Sequence, residues 1–258
     1  MAEGALAAYW ELPAVARTLT TATVVLSIGC LTGVLPVGLL IHHPFYLWKI
    51  PPQIWRPITC FFIADHPLNL LFDAYFLYKY TTQLEVGHPR FPRKVDLVWY
   101  IMFICGTILM IDYIVGLSLF KYLPGIILAM TYTVTQDQRG MKTTFYVIQV
   151  PAQTLPYCMI IASLLMPGGY THALVQLEGL VAAHLFDFLG RIWPEFGGGP
   201  NLLRTPGWLQ RIVTTPRAVQ RGSGTAIRNG SSTGSSTGAQ AGPLPDSWRS
   251  RGRGQRLG

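Results

Sequence analysis

Apolar runs recur from residue 17 to residue 190, and they fix what this chain can fold into. They cover residues 17–35, 67–84, 96–117, 122–138, 143–166 and 172–190. A helix rises ~1.5 Å per residue, so about 20 residues cross a hydrocarbon core of ~30 Å. Inside a bilayer every backbone N–H and C=O needs a protein partner, so such runs fold as helices. Only 12% of the 258 residues are charged, against about a quarter in soluble domains. The expected fold is an all-α polytopic membrane protein with six transmembrane helices.

The most unusual stretch lies between the first two runs. Residues 36–66 are rich in Pro, His and aromatics, too aromatic for a free linker and too broken for a spanning helix. Within them, Trp55 and Arg56 stand just before Pro57. An arginine near the membrane needs its head at the surface or a set of partners, and a tryptophan suits the headgroup layer. The pair reads as an interfacial anchor on a partly immersed loop. The adjacent His42-His43 has no third ligand at a metal-binding spacing and reads as an interfacial pair.

Several runs carry polar residues. The second holds Asn69 and Asp73, and an ionisable residue within a span is a functional candidate by default. The fifth holds Gln149, Pro151, Gln153 and Pro156. A helix broken in this way needs neighbours or water to satisfy its freed carbonyls. Asn69, Asp73, Gln149 and Gln153 are therefore candidates for lining a polar path. The third run carries Asp112, and the sixth His184 and Asp187.

Lys and Arg concentrate in the loops after the second and fourth runs and beyond the sixth. The positive-inside rule then puts both termini in the cytosol and the Trp55-Arg56 loop on the other side. Residues 1–17 carry Glu3 and Glu11 without a basic n-region, so no cleavable signal peptide is expected. From residue 197 the composition shifts to Gly, Ser, Thr, Pro and Arg, the mark of a flexible tail. The organisation read from this is a membrane domain over 1–196 and a basic tail over 197–258. Half of the 20 Lys and Arg follow the last run. That charge suits anionic headgroups, and no nucleic-acid partner is expected. Cys30, Cys60, Cys105 and Cys158 show no C-x-x-C spacing, so they read as free thiols, and neither metal nor cofactor is expected.

Four features resemble the Derlin family, the rhomboid-like pseudoproteases of the endoplasmic reticulum. Gln53–Phe62 resembles its Q-I-W-R-P-I-T stretch, and Tyr75–Glu85 its Y-F-L-Y-x-Y-[ST]-x-x-L-E signature. Leu155-Pro156 and Gly168-Gly169 stand where the family has L-P and G-G. The terminal Gly252, Gly254, Arg256 and Leu257 fit the end of the motif by which Derlins bind the hexameric valosin-containing-protein AAA ATPase. In that motif an aromatic usually precedes the first glycine; here Arg251 does, and the aromatic is Trp248. The family's G-x-x-x-G pair in the sixth span becomes Gly179 and Ala183, small residues still suited to close packing. The resemblance covers the chain except residues 218–245.

The resemblance implies a six-helix rhomboid-like fold in the endoplasmic reticulum membrane and a role in endoplasmic-reticulum-associated degradation. Implied partners are the ATPase, a membrane ubiquitin-ligase complex, misfolded proteins, the bilayer, and further copies or relatives of the chain. An active rhomboid protease would need a serine near the start of the fourth span and a histidine in the sixth. His184 is in the right span, but Ser118 ends the third, and the fourth, over Leu123–Val134, offers only Thr131 and Thr133. No enzyme is expected.

Overall fold

In a computed structural model, residues 2–47, 53–138, 140–145, 148–196 and 203–213 are described. The chain divides into two units, 1–216 and 217–258, and the second lies outside the described residues. So do the tail candidates Trp248, Gly252, Gly254, Arg256 and Leu257.

Helix α1 (Ala2–Glu11) leads through Pro13 into α2 (Ala14–Leu31). Pro13 offers α2 no side-chain cap. The carboxylate of Glu85 fills that role, accepting from the N–H groups of Val15 at 2.9 Å and Ala16 at 3.0 Å. A negative charge there also suits the positive end of the helix dipole.

The connection that follows folds into short turns: Val37–Leu39, α3 (Pro44–Leu47), α4 (Arg56–Thr59) and Cys60–Phe62. Helix α5 (Pro67–Glu85) starts on a proline, whose missing N–H costs nothing in a first turn. Its buried residues Asn69, Phe76, Leu77, Tyr80, Thr81 and Leu84 form one helical stripe, and the helix packs on α2 and on the later α7. Helix α6 (Lys94–Val115) stops at Gly116, whose φ of 73° provides the left-handed C-cap.

Helix α7 (Leu123–Asp137) is the centre of the unit, with every residue from Leu123 to Thr135 buried. A helix apolar on all sides belongs inside. Helix α8 (Leu155–Leu164) and α9 (Gly169–Asp187) follow. A π-helical segment, Phe188–Ile192, joins α9 to α10 (Trp193–Phe196), and α11 (Gly207–Val213) packs on α6.

Among the described residues, three helices are long and apolar enough to cross a membrane: Ala14–Leu31, Lys94–Val115 and Gly169–Phe196. Helix α5 carries too much polarity for that criterion, and α7, with 15 residues, is too short.

The fifth expected span needs correction. Residues 143–145 and 148–151 are not helical. Strands β1 (Lys142–Phe145) and β2 (Ile148–Pro151) pair antiparallel, with Lys142 opposite Pro151. Thr143, Thr144, Phe145, Ile148 and Val150 favour a pleated backbone, and Pro151 removes a helix donor. Only Leu155–Leu164 is α-helical. Residues 203–213, within the stretch read as tail, are also folded. Leu209 is buried, and Trp99 Nε1 donates to the Leu203 carbonyl at 3.2 Å.

Helices α7 and α9 touch backbone to backbone. A Cβ on Gly179 would lie 2.1 Å from the Gly125 carbonyl oxygen, and one on Gly125 would lie 2.8 Å from that of Val175. Ala183 is buried one turn further along α9. Gly179→Ala is therefore expected to force the helices apart, at a cost of ~1–3 kcal/mol or more. Thermal unfolding in detergent would show a clear loss of stability for Gly179→Ala and a smaller one for Ala183→Gly.

Candidate functional site: the carbonyl cage and the polar cleft

Two constructions face the end of the bundle where α5, α7 and α9 begin. The first explains the Gln-Ile-Trp-Arg stretch. Arg56 is 2% exposed, and its Nη1 donates to the carbonyls of Gly38 at 2.7 Å and Ile41 at 2.9 Å. Its Nε donates to Gln53 Oε1, and its guanidinium lies 4.1 Å from the Tyr46 ring centroid. Trp55 Nε1 donates to the Leu39 carbonyl at 3.2 Å, and Thr59 Oγ1 to that of Leu40 at 2.8 Å. Four successive carbonyls, 38 to 41, thus accept from side chains of residues 55–59.

Arg56 was expected to find either the membrane surface or a set of partners, and the structure gives it partners. Arg56 is an internal clasp, and only Trp55, about half exposed, has a face turned outward. His42 is corrected. It is buried, its N–H donates to the Phe120 carbonyl at 3.1 Å, and its ring lies 6.0 Å from that of Tyr122. Burial holds its imidazole below the ordinary value. His43 stacks on Phe120. No cluster of three or more metal-ligating side chains occurs among the described residues.

The second construction is a cleft between α5 and α8. Its cavity, about 40 Å³, is lined by Asn69 and Asp73 from α5, Ser163 from α8, and His172 and Gln176 from α9, with Phe76 and Phe145 among its apolar walls. Ser163 Oγ donates to Gln176 Oε1 at 2.8 Å. Asp73 Oδ2 is buried and has no hydrogen-bond partner among the described residues. A cavity of this size holds a water, and the site is polar enough to keep one.

At the mouth, Asp65 Oδ2 lies 2.7 Å from His172 Nε2, and Asp65 Oδ1 accepts from Lys121 Nζ. An ionised carboxylate only accepts, so Nε2 of His172 carries the proton toward it. Asn69 Nδ2 donates to the Pro167 carbonyl at 3.3 Å, tying α5 to the α8–α9 turn.

The four expected path residues therefore separate. Asn69 and Asp73 face the cleft; Gln149, on β2, and Gln153, in the turn Ala152–Thr154, are exposed outside it. Ser163, His172 and Gln176 were missed. Their signal was polarity within apolar runs, at positions flanking the Gly168-Gly169 turn. Gly125 was missed as well, although Gly125 and Ala129 repeat the small-residue spacing of packed membrane helices.

The protease candidates do not meet. Ser118, with a φ of 52°, sits in the loop between α6 and α7. His184 lies near the opposite end of α9, where its Nδ1 is 2.8 Å from Tyr132 Oη.

The Der1-like family model matches residues 12–207. This chain belongs to the Der1-like family. Derlin-1 of Homo sapiens is 30% identical over 224 residues, covering 83% of this chain and 84% of the relative. Derlin-1 of Oryza sativa subsp. japonica is 26% identical over 213 residues, with 80% and 83% covered. The DER1-like family member protein 1 of Saccharomyces cerevisiae is 26% identical over 285 residues, with 97% and 78% covered. The Der1-like match includes both the cage and the cleft.

The mouth of the cleft should respond to acid. Burial pushes the Asp65 carboxyl up, but the hydrogen bonds from His172 and Lys121 and the Lys121 charge outweigh it, lowering it from 3.8 to about 2. A depressed folded-state value means stabilisation that is complete above the ordinary value and is lost as pH falls through the folded one. Melting temperature in detergent should fall between pH ~4 and ~2, and Asp65→Asn should lower it at neutral pH while flattening that acid limb.

Proposed function

We propose that this chain is a component of endoplasmic-reticulum-associated degradation that borders a retrotranslocation path for misfolded proteins. The observation that carries the reading is the cleft between α5 and α8, which gathers five polar side chains, among them an Asp73 oxygen with no partner among the described residues. In a membrane-spanning unit such a cleft gives polar backbone somewhere to pass that lipid does not. The unit crosses the endoplasmic reticulum membrane six times, with α2, α5, α6, α7, α8 and α9 as the crossings and both termini in the cytosol.

Short elements support local thinning of the bilayer. Helix α7 is ~22 Å long and α8, with ten residues, ~15 Å, against a hydrocarbon core of ~30 Å. A mismatch is relieved by thinning, at fractions of a kcal/mol per Å. The tail, through Trp248, Gly252, Gly254, Arg256 and Leu257, hands substrate to a valosin-containing-protein type ATPase beside a membrane ubiquitin ligase. Tethering makes that handover effectively intramolecular. Proteolysis has no part in this reading: Ser118 and His184 stand apart, and His184 is engaged with Tyr132.

A scaffold that only recruits the ATPase and ligase would need the tail but not the cleft. Turnover of a misfolded membrane substrate in cells lacking the native protein separates the two. Asp73→Leu, Trp55→Ala and Arg56→Ala, at matched expression and with retained ATPase binding, should each slow turnover several-fold. Normal turnover in Asp73→Leu, with loss only on deletion of residues 247–258, would favour the scaffold.

A further inference from the structure

At the other end of the bundle, where α5 and α7 finish and α6 begins, a second cavity opens that the cleft does not reach. It has a volume of about 440 Å³. Phe91, Trp99 and Phe186 give it aromatic walls, and four arginines converge on it: Arg90, Arg93, Arg191 and Arg204. They come from three separate segments, so the convergence belongs to the tertiary fold and is not a run of charge.

The charges are unequally engaged. Arg90 donates to both Asp137 and Asp187 and is fixed in place. Arg93 is held by Asp96 at 2.9 Å and Arg191 by Asp187 at 3.0 Å, and about half or more of each side chain is still exposed. Arg204 meets no carboxylate among the described residues. Four guanidiniums thus face three carboxylates, and Arg93, Arg191 and Arg204 keep free N–H donors around one concavity. Forked guanidinium donors match carboxylate and phosphate oxygens, and a phosphate, with three free oxygens, can meet several guanidiniums at once.

The location selects the carrier. The floor is made by the first turns of α6 and the end of α9, two of the helices long and apolar enough to cross a membrane. Beside it Trp193, Phe196 and Trp208 are exposed, as suits side chains seated in the headgroup layer. Most of the Lys and Arg of the described residues lie on this face, where anionic lipids are drawn. The volume falls in the range of small-ligand sites, ~300–1,000 Å³, and exceeds what a bare phosphate fills.

We propose that this pocket binds a membrane lipid through a phosphomonoester on a bulky headgroup, of the phosphorylated-inositol kind. Arg204, Arg93 and Arg191 grip the phosphate, and the ring of the headgroup rests against Trp99. A lipid held there bridges α6, α9 and residues 203–205, and so fixes the segment that leads to the tail.

The test uses the full chain in phosphatidylcholine nanodiscs, doped in turn with phosphatidylinositol 4-phosphate, phosphatidylinositol or phosphatidylserine. Native mass spectrometry reads retained lipid, and thermal unfolding reads stabilisation. The monoester lipid should be retained and stabilising, and the other two should not. Arg204→Ala, at an exposed site, should weaken retention roughly tenfold, since a charge-assisted phosphate contact contributes about that factor. Arg204→Lys should recover only part of it, and Arg211→Ala, outside the pocket, should match wild type. Equal retention of phosphatidylserine, or an equal loss in Arg211→Ala, would mean diffuse surface attraction and overturn the site. Stabilisation by inorganic phosphate alone, with the doped lipid adding nothing, would overturn the lipid source.

Discussion

A single buried guanidinium governs the end of the bundle where the cleft opens. The described residues 36–47 and 53–66 run through short turns between α2 and α5, so the carbonyls of residues 38–41 have no ladder to join. Left bare in an apolar setting, each would cost several kcal/mol. Arg56 covers two of them, and Trp55 and Thr59 cover the two between. The guanidinium meets no carboxylate among the described residues, so its own burial is tolerable only because carbonyls, Gln53 and the Tyr46 ring surround it. Each side of this contact makes the other affordable. Lysine could not replace it, having one compact charge where the planar guanidinium reaches two carbonyls through Nη1 and Gln53 through Nε while lying over the Tyr46 ring.

The consequences pass inward from that clasp. Its helix leads directly into Cys60, whose carbonyl accepts from the Tyr122 N–H at 3.1 Å at the start of α7. Ser27 of α2 accepts from the Ala64 N–H and donates to the Phe62 carbonyl, both at 3.0 Å. The clasped loop therefore sets where α2, α5 and α7 stand relative to each other. Helix α9 is fixed independently by the Gly125–Gly179 contact. Between these two fixed groups α5 faces α8 across the cleft, with Asp65 and Lys121 at its mouth. The fold thus holds the walls of an opening apart by packing each wall firmly on something else.

Much of this was legible in the sequence. The apolar runs gave α2, α5, α6, α7 and α9 nearly at their observed bounds, since hydrophobic length is a direct consequence of bilayer thickness. The fifth run misled because Thr, Phe, Ile and Val are as apolar in a strand as in a helix, and hydropathy alone does not separate the two. Its prolines and glutamines did signal the break, at Pro151, but not what replaced the helix. Asn69 and Asp73 could be chosen because polar residues within a span are costly. Gln149 and Gln153 drew the same inference, but they lie exposed on β2 and in the turn after it, outside the cleft. The Trp55-Arg56 pair was noticed for its chemistry, yet its partners are backbone carbonyls, which leave no trace in side-chain identity. For the same reason Gly125 was passed over: a glycine's function in close packing depends on what faces it.

A cleft between α5 and α8 that offers a polar environment at membrane depth must be open to water. The most direct measurement is labelling by a membrane-impermeant maleimide in a background with Cys30, Cys60, Cys105 and Cys158 replaced by serine or alanine. Asp73→Cys and Ser163→Cys place thiols in the cleft, and Ile161→Cys places one on the exposed apolar side of α8. The account predicts that the two cleft thiols react from the side of the Asp65–Lys121 mouth, much faster than the thiol at position 161. If all three are equally protected in intact membranes, the cleft is dry and closed, and it does not provide a path.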